Sequence, residues 1–168
     1  MSYYLRKITG NRWLTLNLPK NDGDIPADPV TDLKTNKNSL SFYKVDDKNI
    51  DTALTGLASK KPELQSLAFV LIKERDFKKF TLKPCPGDTP CQKANQLHVE
   101  IENLTVTSLV ELVKIIGSNK AFITTKPKPV IQALLKDAYS NKMLTTKVMT
   151  HTLHKELGVE CDCCKLCD

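Results

Sequence analysis

Histidine and cysteine residues cluster near the C-terminal end of this 168-residue chain. They form the string His151-x2-His154-x6-Cys161-x-Cys163-Cys164-x2-Cys167. Thiolate and imidazole groups are the ligands that zinc takes in structural sites, four at a time and in a tetrahedron. A segment without a core of its own could gain its order from such an ion. The sequence therefore predicts one structural zinc ion. Its predicted ligands are Cys161, Cys164 and Cys167, completed by His154 or His151.

The same cysteines allow three other interpretations. The Cys161-x2-Cys164-x2-Cys167 spacing also occurs in ligand runs of iron–sulfur clusters, and Cys163 or Cys85 would then supply the fourth thiolate. The vicinal pair at 163–164 could be a redox thiol, but a single lysine among three acids would do little to activate it. A reduced, mobile terminus needs no ligand at all, because chain ends fray by default.

The residues just before the cysteines predict a helix over 145–157 that ends at Gly158. On a helical wheel the apolar residues of this segment share one side. His151 and His154 fall on the other side and lie one turn apart. We therefore expect both imidazoles on an exposed helix face, where the cysteine-rich segment could turn back over them.

His98 and Glu100 form a second arrangement with metal chemistry. They have the H-x-E spacing of zinc deaminases, and Cys161-x2-Cys164 could stand for the C-x-x-C of that motif. The context differs, because both residues alternate with apolar ones as in a strand and no proline precedes Cys161. We therefore interpret His98 and Glu100 as part of a solvated strand face.

Cys85 and Cys91 flank a turn rich in proline and glycine and could form a clip. In a reducing compartment two exposed free thiols are the favoured interpretation. No phosphate-binding loop, dinucleotide-binding fingerprint, serine-nucleophile elbow or H-E-x-x-H helix occurs in the chain. The sequence therefore assigns no catalytic residue.

The chain carries a net charge of +6, and residues 118–157 hold seven lysines against two acids. Two predicted helices in this part, 129–139 and 145–157, are joined by a short turn as in a helix-turn-helix. The scarcity of arginine counts against sequence-specific DNA reading, which favours the bidentate guanidinium. The candidate residues for nucleic-acid binding are Lys126, Lys128, Lys142, Lys147 and Lys155.

The order of the predicted elements indicates an α+β fold. Residues 1–104 are sheet-rich, with a mixed or antiparallel sheet and one helix. Residues 105–157 form a basic helical module, and residues 158–168 form a cysteine-rich tail. Strands are predicted at "SYYLRKI", "LSFYKV", "SLAFVLIKE" and "QLHVEIEN", with "WLTLNL" as a hairpin partner of the first.

A composition of 40% apolar and 26% charged residues is typical of a globular domain. A secretory signal and a membrane-spanning apolar run are both absent from the sequence, which predicts a cytoplasmic protein without a membrane partner. Because no catalytic constellation is visible, we predict a non-catalytic accessory or adaptor subunit of a larger assembly that contacts a larger protein partner. The alternatives are a nucleic-acid-binding module and a metal-dependent enzyme of unknown reaction.

Overall fold

The computed structural model describes residues 1–16, 25–33, 35–145 and 149–159. Within these residues six strands form a single antiparallel sheet with the order β4-β5-β2-β1-β3-β6. The α+β class and an antiparallel sheet are thereby confirmed. The strands are β1 (Ser2–Lys7), β2 (Leu40–Asp46), β3 (Leu67–Lys73), β4 (Leu82–Pro84), β5 (His98–Ile101) and β6 (Ile123–Lys126).

Seven α-helices and two short 3₁₀ helices, Glu74–Phe77 and Lys120–Phe122, connect the strands of the described chain. Periodic apolar residues explain the longer helices, because they give each helix one stripe that can be buried. The α-helices are α1 (Gly10–Leu14), α2 (Ala27–Asp32), α3 (Ile50–Ser59), α4 (Gln92–Leu97), α5 (Val106–Ser118), α6 (Lys128–Ser140) and α7 (His151–Leu157).

Helices cover both faces of the sheet, so the strands have a hydrophobic core on each side. One face, here called the α5 face, packs against α5, α1 and α2. Its buried residues include Phe42, Val70 and Trp13. The other, here called the α3 face, packs against α3, α4, α6 and α7 around Leu5 and Phe69. Burial on both faces accounts for the near-continuous apolar run of β3.

The predicted division into a sheet followed by a helical module is not confirmed. Strand β6 lies within the predicted helical module, and α1, α2 and α4 lie within the predicted sheet-rich region. The hairpin partner predicted at "WLTLNL" is wrong, because Trp13 and Leu14 belong to α1. The indole of Trp13 is fully buried and donates a 2.7 Å hydrogen bond to the Asp32 carboxylate. This contact explains why the segment turns inward instead of pairing with β1.

The predicted helix-turn-helix is not confirmed. Helix α7 begins at His151 rather than at residue 145, because Thr150 caps it by accepting a 3.2 Å hydrogen bond from the backbone N–H of Leu153. Helix α6 ends at Ser140 and α7 begins at His151, whereas a helix-turn-helix has a turn of about three or four residues. The backbone N–H of Thr145 instead donates to the Pro90 carbonyl over 2.8 Å.

None of the helices in the described residues is both long enough and apolar enough to cross a membrane.

Candidate metal centre

Strand pairing brings polar side chains together on the α3 face. Tyr43 of β2 lies opposite His98 of β5, and Ser41 lies opposite Glu100. His98 and Glu100 are two residues apart on one strand, so their side chains point to the same face. Cys85 follows β4 and continues its pairing, because its backbone N–H donates a 3.2 Å hydrogen bond to the His98 carbonyl. Three kinds of metal-ligating side chain thus meet at one edge of the sheet.

The imidazole of His98 is held by two contacts. Its Nδ1 lies 2.6 Å from the Cys85 carbonyl oxygen, a distance at which Nδ1–H donates a hydrogen bond. The Tyr43 ring meets the imidazole edge-on at a centroid distance of 5.4 Å. Because Nδ1 carries the proton, Nε2 keeps the lone pair that a metal ion or a proton would need. This arrangement is typical of metal-ligating histidines.

The ligand atoms of Cys85, His98 and Glu100 lie within 4.8 Å of one another, and all three residues are half-buried. Ligands around a tetrahedral zinc ion are separated by about 3.3–3.8 Å, so small side-chain movements would complete the site. Sulfur, nitrogen and carboxylate oxygen together suit zinc better than magnesium or calcium. The Ser41 hydroxyl donates a 3.2 Å hydrogen bond to Glu100 and supports its carboxylate from outside.

The loop that carries Cys85 is fastened to α4 through Asn95. The Asn95 amide oxygen accepts hydrogen bonds from the Thr89 backbone N–H at 2.9 Å and from its hydroxyl at 2.7 Å. The backbone N–H of Gly87 donates to the Asn95 carbonyl over 3.1 Å. A Cβ atom at Gly87 would come within 2.9 Å of the Asn95 amide oxygen, so this close approach requires glycine. The thiol of Cys85 is therefore placed by a fixed loop.

A cavity of about 690 Å³ opens beside the three ligands. It lies where β1 leaves β2, since the β1–β2 pairing ends at Leu5–Tyr43 while β1 stays paired with β3 as far as Lys7. Burial raises the pKa of Tyr43 to about 12, so its phenol stays neutral at the cavity wall. The volume suits a small molecule. Its lining includes Arg6, Lys7, Tyr43, Cys85, His98 and Glu100.

The structure separates the two histidines that the sequence places on one exposed helix face. His151 is exposed, but His154 is only 2% exposed and lies beside the buried residues Leu153 and Leu157. The prediction that both imidazoles face solvent is therefore wrong for His154. Helix α7 is short and docks by its last turn, which brings position 154 under the protein surface. The predicted ligands Cys161, Cys164 and Cys167 lie outside the described residues.

The candidate nucleic-acid-binding lysines are spread over several elements. Lys126 is half-buried in β6, whereas Lys142 follows α6 and Lys155 lies on α7, both exposed. Lys128 is exposed and pairs with Glu156 over 2.7 Å, which reduces the charge that it can offer to a phosphate. Lys147 lies outside the described residues.

Sequence reasoning missed the centre at Cys85, His98 and Glu100. The alternation in β5 indicated a solvated face, but His98 and Glu100 are half-buried and the loop after β4 contacts His98. Cys85 and Cys91 are both free thiols. Cys91 is fully buried, so the expectation of two exposed thiols is wrong for it. The H-x-E spacing and a cysteine in a proline-rich loop were the available signals.

Comparisons with known proteins add no relative to these observations. No protein-family model, no curated protein and no solved structure matches the chain. The chemistry of the site therefore rests on its own residues.

Proposed function

We propose that this protein is a metal-dependent enzyme that holds one zinc ion through Cys85, His98 and Glu100. The observation that carries the proposal is the convergence of three different ligand types within 4.8 Å at the wall of a cavity. Three protein ligands leave the fourth tetrahedral position open, as in catalytic zinc sites, whereas structural sites fill all four.

Hydrolysis of a small molecule is the reaction class that fits such a site. A zinc ion with an open position acts as a Lewis acid and activates water at neutral pH. Hydrolysis there would place the oxygen of water on the electrophilic carbon or phosphorus and a proton on the leaving group. The Cys85 carbonyl orients His98, and the Ser41 hydroxyl orients Glu100.

Metal binding tests the proposal directly, provided that the C-terminal cysteines cannot bind the ion themselves. The parent for the test is the full chain with serine at positions 161, 163, 164 and 167. We expect it to bind one equivalent of zinc or cobalt, and the cobalt form to show a thiolate-to-metal charge-transfer band. Cys85→Ser removes this band, because Cys85 supplies the thiolate.

Glu100→Gln and Glu102→Gln form a matched pair for the carboxylate. Glu102 follows β5 and forms an exposed ion pair with Lys83, away from the proposed ligands. We expect Glu100→Gln to weaken zinc binding at least about tenfold and Glu102→Gln to leave it unchanged. Equal zinc affinity in the parent, Cys85→Ser and Glu100→Gln chains would overturn the proposal.

Turnover tests the enzymatic part of the proposal. The probes are 4-nitrophenyl acetate and 4-nitrophenyl phosphate, with the zinc-loaded parent compared with its Cys85→Ser variant. We expect zinc-dependent release of nitrophenol from one of them, lost in the variant. Zinc binding without turnover of either ester would contradict a hydrolytic role.

The structural zinc ion predicted at the C-terminal end is a separate proposal. It is supported by His154, whose two ring nitrogens are buried and have no hydrogen-bond partner among the described residues. An unpartnered buried imidazole is costly, and a metal ion would satisfy one nitrogen. Two equivalents of zinc on the natural chain, falling to one in the serine-substituted parent, would support it. One equivalent on both chains would contradict it.

The role of accessory or adaptor subunit stays a prediction, as does nucleic-acid binding. Co-purification with a larger protein would favour the first. Salt-sensitive retention of duplex DNA, lost in Lys155→Glu, would favour the second.

A further inference from the structure

Two cations at the end of β1, Lys7 and Arg6, line the cavity. Lys7 lies two residues beyond Leu5, where the pairing of β1 with β2 ends, and Glu100 lies on the far side of β2, paired with Ser41. With strands about 4.8 Å apart, the backbone of Lys7 is at least roughly 10 Å from that of Glu100. A small molecule in the cavity could therefore contact Lys7 with one end and the metal centre with the other.

Lys7 is half-buried among other cations. Burial lowers the pKa of Lys7 to about 8, and the neighbouring Lys61 amine and Arg6 guanidinium act in the same direction. Asp32 acts in the opposite direction but is not close enough to form an ion pair, and no carboxylate of the described residues lies within ion-pair distance of the Lys7 amine. Among the described residues Lys7 therefore has no ion-pair partner.

Arg6 also lines the cavity and adds a second unsatisfied group, although its side chain packs over Phe42, a residue of the α5 face. Its Nη1 donates a 2.7 Å hydrogen bond to the Ser41 carbonyl, and its guanidinium lies 5.5 Å from the centre of the Phe42 ring. Its Nε is buried and has no hydrogen-bond partner among the described residues. Burial lowers the pKa of Arg6 to about 10, which still leaves it charged at neutral pH.

Two acids of the described residues at the cavity, Asp32 and Asp88, already hold other partners. Asp32 accepts hydrogen bonds from the backbone N–H and hydroxyl of Thr9, at 2.8 and 2.6 Å, and from the Trp13 indole. Asp88, at the cavity rim, pairs with Lys60. Uncompensated like charges at a partly buried position cost free energy, which an anionic ligand would recover.

We propose that Lys7, in the positive field of Arg6 and Lys61, binds an oxyanion group of a small-molecule ligand, either a phosphate or a carboxylate. The oxyanion subsite, meaning Lys7 with these two neighbours, defines the substrate class of the proposed metal centre. It therefore rests on the proposed function for its role, but it uses none of the metal ligands. The two proposals can consequently fail separately.

Sulfate is the first probe, because it stays a dianion throughout the pH range of interest. It is titrated into the full chain at constant ionic strength, and binding is followed by amide chemical shifts in NMR spectra. We expect Lys7→Met to weaken sulfate binding at least about tenfold and Lys44→Met to leave it unchanged. Lys44 is a matched control, since it lies on β2 in an exposed pair with Glu74. Equal sulfate affinity in Lys7→Met and the natural chain would overturn the proposal.

Protection of Lys7 from amine labelling provides a test on the unaltered chain. Trinitrobenzenesulfonate reacts with the neutral amine, and labelling at pH 8 is located by mass spectrometry. We expect sulfate, but not the same ionic strength of chloride, to slow labelling of Lys7 and not of Lys44. Labelling of Lys7 that is indifferent to sulfate would contradict the subsite.

The pH dependence follows from the groups that face Lys7, namely Lys61, Arg6 and Asp32. Lys7 must be protonated to attract sulfate, so affinity is highest below about pH 8 and falls as the pH rises through that value. Affinity that stays constant from pH 7 to pH 9 would exclude Lys7 as the binding group.

Two further experiments test whether the subsite is independent of the metal centre and which anion it binds. In His98→Ala we expect sulfate affinity to be retained within about twofold, whether or not zinc binds. Loss of sulfate binding in that variant would overturn an independent subsite. Inorganic phosphate and acetate are then compared as competitors of sulfate. Stronger competition by phosphate assigns a phosphate, and stronger competition by acetate assigns a carboxylate.

Discussion

The two faces of strands β2 and β5 differ sharply although their residues alternate along the same backbone. On the α5 face, Phe42 and Val99 are buried in an apolar core. On the α3 face, Ser41, His98 and Glu100 line a cavity. Both faces carry a hydrophobic core, but the α3 face becomes polar at these residues. It holds charged and polar groups in partly buried positions, which costs stability and indicates a functional role.

The largest expected effect is on the α5 face. Phe42→Ala removes a fully buried ring that packs edge-on against Phe77 at a centroid distance of 5.2 Å. We expect a loss of about 3–5 kcal/mol in the free energy of unfolding, measured by urea denaturation. The neighbouring Ser41→Ala should cost less than about 1 kcal/mol, since it removes one half-exposed hydrogen bond. Similar losses in both variants would refute the contrast between the faces.

Gly87→Ala tests whether the α3 face depends on a fixed loop. The added Cβ would meet the Asn95 amide oxygen at 2.9 Å and push the segment that carries Cys85. We expect about 1–3 kcal/mol of destabilisation and a zinc affinity lowered about tenfold. Gly158→Ala is a control for zinc affinity, because the strain of its positive φ falls at the end of α7 and no atom lies within 4 Å of its Cβ position. Unchanged zinc affinity in Gly87→Ala would show that the loop does not position the ligand.

Lys7→Met tests the stability cost of the α3 face. The pKa of Lys7 is lowered from 10.5 to about 8 in the folded chain, so folding opposes protonation. The cost is fully present below pH 8, shrinks between pH 8 and 10.5, and is absent above that range. After allowance for partial exposure, we expect Lys7→Met to stabilise the fold by about 1 kcal/mol at pH 7. Destabilisation at pH 7, or a gain that does not shrink toward pH 10.5, would contradict this.

The smallest expected effect is at Lys44, outside the cavity. Its amine pairs with Glu74 over 2.8 Å, and both side chains are about half exposed. We expect Lys44→Met to change the free energy of unfolding by less than about 0.5 kcal/mol between pH 7 and pH 10.5. A larger change would mean that surface charge, rather than the cavity, dominates the pH dependence of stability.

Local pattern predicted much of the secondary structure. The apolar alternation of β2, the periodicity of α3 and α5 and the early proline of α6 all gave elements that the structure confirms. The structure around Trp13 could not be predicted in this way. An apolar residue in a short stretch can be buried from a strand or from a helix. The contact of Trp13 with Asp32, on a distant segment, decides in favour of the helix.

The candidate site could not be predicted from residues that are neighbours in the sequence. The polar residues of β5 have the alternation of a solvated strand, and nothing nearby in the sequence indicates what covers them. His154 was misplaced for the same reason, because a helical wheel does not show which elements pack against α7. In both cases the covering element comes from elsewhere in the chain.

By itself the sequence determined the α+β class, most strands and the longer helices, because those depend on residue periodicity over a few neighbours. It also singled out histidine and cysteine as the residues with metal chemistry. Only the tertiary structure decided which of them meet. Ser41 and Glu100 are 59 residues apart, yet they share a hydrogen bond. Cys85 reaches His98 across β4 and β5. Strand pairing and packing on both faces set these distances, and neither is written in any short stretch of the chain.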